Sequence, residues 1–385
     1  MAAKRVEPNS RQSTAKRRRL AVLTSPPRST SLSEPSEIYT FANDDYTVGW
    51  ICALDIELAA SRAMLDEVHP GLSQDENDSN TYTLGRIKQH NVVIACLPSG
   101  TPGTNPAATT VANMLRSFPK IRFGLMVGVG GGVPGDPSED PYEDLHLGDV
   151  VVSKPEGVYG ERILFHQQVS ELTILLGGVI QYDFGKTIGE GKFIQTGFLN
   201  KPPNVLLTAV ANLNAFHLTD GIATNQYVSE MLKSRPNMMR KFRYPGSTYD
   251  QLFQADYDHI GSGTGCEHCD KKYVVPRKCR DTSYPVIHYG LIGSANQVMR
   301  HGATREKLRK EKNILCFEME AAGLMDNFPC LVIRGICDYS DTHKNKQWQP
   351  YAAATAAAYT KELLEVLSPT QVTSTKEATQ LVKLC

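Results

Sequence analysis

Residues 314–341 read ILCFEMEAAGLMDNFPCLVIRGICDYSD. Two apolar β-type runs, 314–317 and 330–336, each end on carboxylates: Glu318 and Glu320 after the first, Asp338 and Asp341 after the second. Between them, residues 321–325 are small and helix-compatible, so the unit reads as strand, helix, strand, the crossover that a parallel sheet requires. In open α/β sheets ligands lie beyond the carboxyl ends of strands, which makes Glu320 and Asp338 candidate site residues. Asp341 reads as a helix N-terminal charge favoured by the macrodipole.

Outward from that stretch the same grammar recurs. YTVGWICAL, from Tyr46, is β-rich and runs into DIELAASRAML, with apolar residues at helical spacing. Glu57 falls just past the strand end, a position where glutamate also serves as a helix N-terminal charge. Residues 81–85 and 91–96 form two strands around a polar turn. LPSGTPGTNPAATTVANMLRSF, from Leu97, then joins a Gly/Pro loop to a helix. Such loops expose backbone N–H groups, so Ser99 and Gly100 are candidate ligand contacts. GLMVGVGGGVPG, residues 124–135, is an apolar strand ending in glycines, Gly130 among them, where bare backbone can approach a ribose or base. It does not match the G-x-G-x-x-G dinucleotide fingerprint, and no cofactor is expected. LGDVVVS, from Leu147, is a further strand with Asp149 structural.

Residues 201–240 are helical, with Val205, Leu206, Ala209, Val210, Leu213, Met231 and Leu232 marking apolar faces. VIHYGLI, from Val286, is a strand leading to Gln297, Val298 and Met299. HGATREKLRKEKNI is a charged helix, and AAATAAAYTKELLEVL an alanine-rich one of strong propensity. Cys266-Glu267-His268-Cys269 with Cys279 invites a zinc reading but lacks a second spaced pair, so no metal is expected.

With 385 residues, 41% apolar content and no net charge, the chain can bury a full core and presents no global field for nucleic acid or membrane. No run approaches the ~18 apolar residues of a membrane span, and nine scattered cysteines suit a reducing, intracellular compartment, cytoplasmic or nuclear. Residues 1–44, rich in Ser, Pro, Arg and Lys, read as a disordered basic tail. Its Lys4-Arg5 and Lys16-Arg17-Arg18-Arg19 have the spacing of a bipartite nuclear import signal and also allow weak nucleic-acid contact. Residues 45–367 form the folded domain and 368–385 a mobile tail.

FEMEAAG followed by VIRGICDYSD resembles the purine and uridine phosphorylase superfamily, most closely its methylthioadenosine nucleosidase branch and related fungal nucleosidase-like domains. The resemblance covers residues 46–367. It implies a single α/β domain, with a mixed, twisted central β-sheet flanked by helices, that binds a purine nucleoside, and an oligomer. In this chain it assigns Asp338 as the acid protonating the purine N7, kept protonated by burial, and Glu57 as the carboxylate activating water. Glu320 accepts from the ribose hydroxyls, with Met319 on the sugar face and Glu318 beside them. Gln297 and Val298 fall where the family contacts the purine, although nucleosidases stack an aromatic there. The Gly-Asp-Pro-x-Arg phosphate loop is missing at 53–57 and Glu57 would repel phosphate, so the resemblance implies hydrolysis to base and ribose. A purine nucleoside phosphorylase and a non-catalytic nucleoside-sensing module of a receptor-like protein are the alternatives. Arg334, inside a strand, reads as structural. Residues 161–177, ERILFHQQVSELTILLG, interrupt the resemblance and read as an insertion: a surface loop, a helix or translated intron sequence.

Overall fold

Strand β1 (Val48–Cys52) shows how two layers of core are built. Val48, Trp50 and Cys52 point into one apolar cluster and Ile51 into the other, and all five residues are buried, as alternating side chains on a central strand require. The structure, a computed structural model, describes residues 41–158, 162–165, 168–171, 174–261, 263 and 265–382. The basic stretch with its import-signal spacing lies outside them. Phe41–Cys385 form one compact unit.

After β1 the chain forms α1 (Asp55–Met64), β2 (Glu67–Val68), the hairpin of β3 (Tyr82–Ile87) and β4 (His90–Cys96), then α2 (Thr104–Ser117), β5 (Phe123–Gly132) and β6 (Val150–Ser153). Six short strands follow: β7 (Glu156–Val158), β8 (Arg162–Phe165), β9 (Gln168–Glu171), β10 (Ile174–Leu176), β11 (Val179–Gln181) and β12 (Gly185–Thr187), before β13 (Phe193–Gln195). Helices α3 (Asn204–Asp220), α4 (Thr224–Ser234) and α5 (Pro236–Phe242) lead to β14 (Ile287–Ser294), α6 (Gly302–Lys312), β15 (Ile314–Glu318), β16 (Cys330–Asp338) and α7 (Gln349–Val366).

Ten strands make one mixed sheet in the order β11-β14-β6-β16-β5-β1-β4-β3-β2, with β15 pairing both β14 and β5. Because β14 pairs with β6 over its first half and with β15 over its second, the ladder β14-β6-β16-β5-β15 closes on itself. The central sheet thus contains a small barrel, which abolishes the edge there.

The expected strand, helix, strand crossover is not formed. β16 runs parallel to β5 and β15 antiparallel to it, and a single 3-10 turn, Ala321–Gly323, joins the two. The turn is short because its amides are already satisfied. Glu318 accepts the N–H groups of Glu320 and Ala321, and Ser294 Oγ that of Ala322. Gly323 lies so close to the Thr104 backbone that no side chain would fit.

Helices cover both faces. On one, α1, α3 and α4 pack around α7, whose residues from Tyr351 to Thr360 are buried. Its alanines let the helix backbone rest on β16: a Cβ at Gly335 would run into the Ala352 carbonyl. On the other face, Ala107, Val111 and Met114 of α2 meet Leu324 and Phe328. Residues 368–382, expected as a mobile tail, instead form α8 (Pro369–Ser374) and α9 (Ala378–Val382), docked by buried Val372 and Ala378 and a Lys120–Glu377 ion pair of 2.9 Å. Off the main sheet, β7 pairs with β10 and β8 with β9, so the described residues of the 161–177 segment are strands and not the helix considered for it. Among the described residues no helix is long and apolar enough to cross a membrane.

Candidate active site

Glycines in β5 let a charged cluster collapse onto the strand. A Cβ at Gly128 would run into Glu57 Oε1 and, at 2.6 Å, into Arg334 Nη1; one at Gly131 would meet Ser340 Oγ and, at 2.8 Å, Asp338 Oδ1. The ends of β1, β5 and β16 and the returning β15 therefore converge on a cavity of about 210 Å³. Its wall holds Glu57, Gly130, Gln297, Val298, Glu318, Met319 and Glu320, all marked in the sequence. β15 reaches it from the opposite direction to β1 and β16, so its acids lie there through barrel closure rather than by the carboxyl-end rule.

Ser99 and Gly100 are exposed and take no part in the wall, which receives Pro102 from the same loop. The physical reason is a cap. Thr104 donates its N–H (2.9 Å) and hydroxyl (3.0 Å) to Asn296 Oδ1, so a side chain already serves the N-terminus of α2.

Arg334 lies behind the cavity wall. Its guanidinium, fully buried, donates to Glu318 and, at 3.3 Å, to Glu320, and its charge also acts on Glu57. Glu318 also caps the 3-10 turn, which gives it a structural part. Glu57 is both a helix cap and a cavity residue: Oε2 accepts from Ala53 N (2.7 Å) and Leu54 N (2.9 Å), and Oε1 from Val129 N (2.8 Å). Three carboxylates share one cation, and the imbalance shows in their proton affinity. Burial pushes the Glu57 carboxyl up, against the pull of Arg334 and three N–H groups. Glu320 is pushed up to about 7 by burial and by the Glu318 and Glu57 charges, with Arg334 opposing.

Asp338 sits in a different electrostatic setting from the one expected. It is buried, but its Oδ2 forms a 2.9 Å ion pair with Lys344 Nζ and accepts the Cys337 thiol at 3.1 Å, while Oδ1 accepts the Ser340 N–H at 3.0 Å. A cation, a thiol and a backbone amide thus all converge on this one side chain. Burial works against the Lys344 charge, yet Asp338 raises its pKa overall. Ser340 holds the turn in a left-handed conformation, φ 54°, the kind of strain that collects at sites. Lys344, not Asp338, is among the residues that line the cavity.

Sequence reasoning missed Phe317, Cys337, Ser340 and Lys344 in the wall. Phe317 alternates with Glu318 on β15 and supplies an aromatic surface, edge-on to Tyr182 at 5.2 Å. Nothing in the polar stretch after Asp341 singles out Lys344. Asp341 is no helix cap: it pairs with Arg305 at 3.4 Å.

No protein-family model matches the chain. A nucleotide-binding leucine-rich repeat (NLR)-like protein of Hyaloscypha variabilis is 46% identical over 331 residues, 86% of this chain, and the chain spans 30% of that protein's length. Among solved structures, futalosine hydrolase of Helicobacter pylori superposes with a TM-score of 0.49 at 14% identity, over 83% of this chain and 97% of that one. A 5'-methylthioadenosine/S-adenosylhomocysteine nucleosidase from S. pneumoniae, held with a transition-state inhibitor, gives 0.49 at 17% identity, over 84% and 100%. The mixed central sheet flanked by helices on both faces, which the resemblance implied, is present.

Proposed function

We propose that the cavity binds a purine nucleoside and hydrolyses its N-glycosidic bond. The observation that carries this reading is the surplus of carboxylates: Glu57, Glu318 and Glu320 line one cavity, with Arg334 behind them and Lys344 taken up by Asp338. Departure of a purine leaves positive charge on the sugar, and a carboxylate-rich floor stabilises that charge. In the proposed step water attacks C1′, its proton passes to Glu57, and the electrons of the C1′–N bond go to the base. The base takes its proton from the Lys344–Asp338 pair. Glu320 receives the ribose hydroxyls, with Met319 on the sugar. Phe317 and Val298 offer apolar surface to the base.

Water is favoured over phosphate as nucleophile. Of the charged residues in the wall three are glutamates and one, Lys344, is already ion-paired, whereas phosphorolysis needs several free donors. The α2 N-terminal amide, a ready anion donor, is capped by Asn296. A non-catalytic sensing role is the second reading, favoured by the NLR-like relative, of which this chain matches only a part.

Adenosine, inosine and methylthioadenosine, each incubated with the protein with and without phosphate while free base is followed, test the reading. Base release that ignores phosphate supports hydrolysis. Strict phosphate dependence overturns it in favour of phosphorolysis. Saturable binding without release supports the sensor, and the absence of both binding and release overturns the nucleoside reading itself.

A further inference from the structure

A second group of ligating side chains stands in the loop between α5 and β14. One ligand atom each from His259, Cys266 and Cys269 lie within 4.8 Å of one another. The sequence drew attention to His268 and Cys279, but both are exposed and outside the group; His259, seven residues upstream of Cys266, takes their place. A turn closed by Cys269 N–H to Cys266 O (3.3 Å) brings the two cysteines together, and Cys269 is buried. His259 Nε2 lies 2.9 Å from the Gly265 carbonyl. A carbonyl accepts only, so that nitrogen carries the proton and the lone pair falls on Nδ1. Metal-binding imidazoles are held in this way by their second nitrogen.

Beside the group is an unexplained histidine. His343 is buried, and neither ring nitrogen has a hydrogen-bond partner; Nδ1 stands 3.6 Å from Asp341. Its ring is edge-on to that of His259 at 5.6 Å. A buried imidazole left in this state is costly unless something else engages it.

We propose that His259, Cys266 and Cys269 bind a zinc-class divalent ion, with His343 as the fourth ligand. Tetrahedral zinc, with Zn–S of about 2.3 Å and Zn–N of about 2.0 Å, sets donor atoms roughly 3.3–3.8 Å apart, so the three atoms draw together by on the order of 1 Å and His343, outside their 4.8 Å group, turns in to complete the set. Both thiol protons leave to solvent as the ion enters. Two thiolates and two neutral imidazoles then balance its charge, which suits a buried site. Four protein ligands make the site structural rather than catalytic. What it holds is the loop against the end of β16: His259 N–H donates to Thr342 Oγ1 at 2.8 Å, and Phe253 stacks on His343 at 4.1 Å. Lys344, the partner of Asp338, is the next residue.

The test uses the whole chain and needs no assumption about its activity. After zinc loading and desalting, one equivalent of zinc per chain is expected by elemental analysis. Cobalt(II) in its place should give intense tetrahedral d–d bands together with thiolate-to-metal charge transfer. The C266S/C269S double variant should lose both signals, and His343→Ala should bind at least roughly tenfold more weakly with an altered d–d envelope. Chelation should speed proteolysis within residues 250–285 of the wild-type chain. Three results overturn the proposal: under about a tenth of an equivalent on folded wild-type protein, cobalt bound without thiolate charge transfer, or full retention by the double variant. An unchanged cobalt spectrum in His343→Ala removes that residue from the site. The wild-type cobalt spectrum decides the matter even if a variant fails to fold.

Discussion

Two buried acid clusters in this molecule are built from the same residue types and have opposite electrostatics. Around Asp149 and Asp250 the charges balance. Arg280 grips Asp149 through both nitrogens at 2.7 Å, with His288 and the His146 and Val286 amides completing the shell. Asp250 holds Arg277 at 3.0 Å, His146 at 2.6 Å and the Tyr339 hydroxyl. Burial opposes the charge of both acids, but their partners overcome it and hold both below the usual carboxylate range. Around Arg334 three acids share one cation, and Glu57 and Glu320 are pushed upward instead. Burial alone therefore does not mark a reactive carboxylate. The ratio of acids to donors does, and the unbalanced cluster is the one poised to exchange protons near neutral pH. Cavity size is no guide either: the space beside the balanced network is about 360 Å³, the larger of the two.

The sharpest way to break this contrast is to remove a cation from the balanced side. Arg280→Met strips Asp149 of its two shortest contacts and should cost about 3–5 kcal/mol in denaturant unfolding; a loss under about 1 kcal/mol would show that the network is not needed for stability. Next in size is Glu57→Gln. Its amide oxygen keeps the Ala53 and Leu54 N–H bonds while the NH2 faces the Val129 N–H, so a modest fall in Tm should accompany a loss of base release of at least about 100-fold. Unchanged turnover would remove Glu57 as the base. Gly128→Ala forces a methyl group between Glu57 and Arg334 and should destabilise the chain by about 1–3 kcal/mol, readable as a fall in Tm. The smallest stability effect is expected from Glu320→Gln, because it removes surplus charge: Tm should hold or rise at pH 8.

Glu320 also predicts a pH dependence. Its folded pKa, about 7, lies above its ordinary 4.5. Such an acid adds no cost below pH 4.5 and destabilises progressively as pH rises to about 7, beyond which the cost is constant. Nucleoside binding through the ionised carboxylate should run the other way, weakening about tenfold per pH unit below about 7. Calorimetric titrations across that window should show the slope in the wild-type chain and lose it in Glu320→Gln; a persistent slope would assign the titration elsewhere.

Much of the site was legible because strand ends announce themselves. An apolar run that stops on FEME or on ICD puts carboxylates where a sheet opens, and glycines at 128–132 announce close approach. Local sequence therefore determined the α/β class, most strands of the central sheet and the acids of the cavity, since period-two alternation and glycine sterics act over a few residues. The tertiary structure decided the rest. Barrel closure reversed β15 and replaced a crossover helix by one turn, Asn296 capped α2 in place of an anion, and Lys344 met Asp338. His259 met Cys266 and Cys269 across a folded loop. Each of these is a partnership between segments that no local pattern encodes, because a charge or a cap is settled by whichever group the packed chain brings within reach.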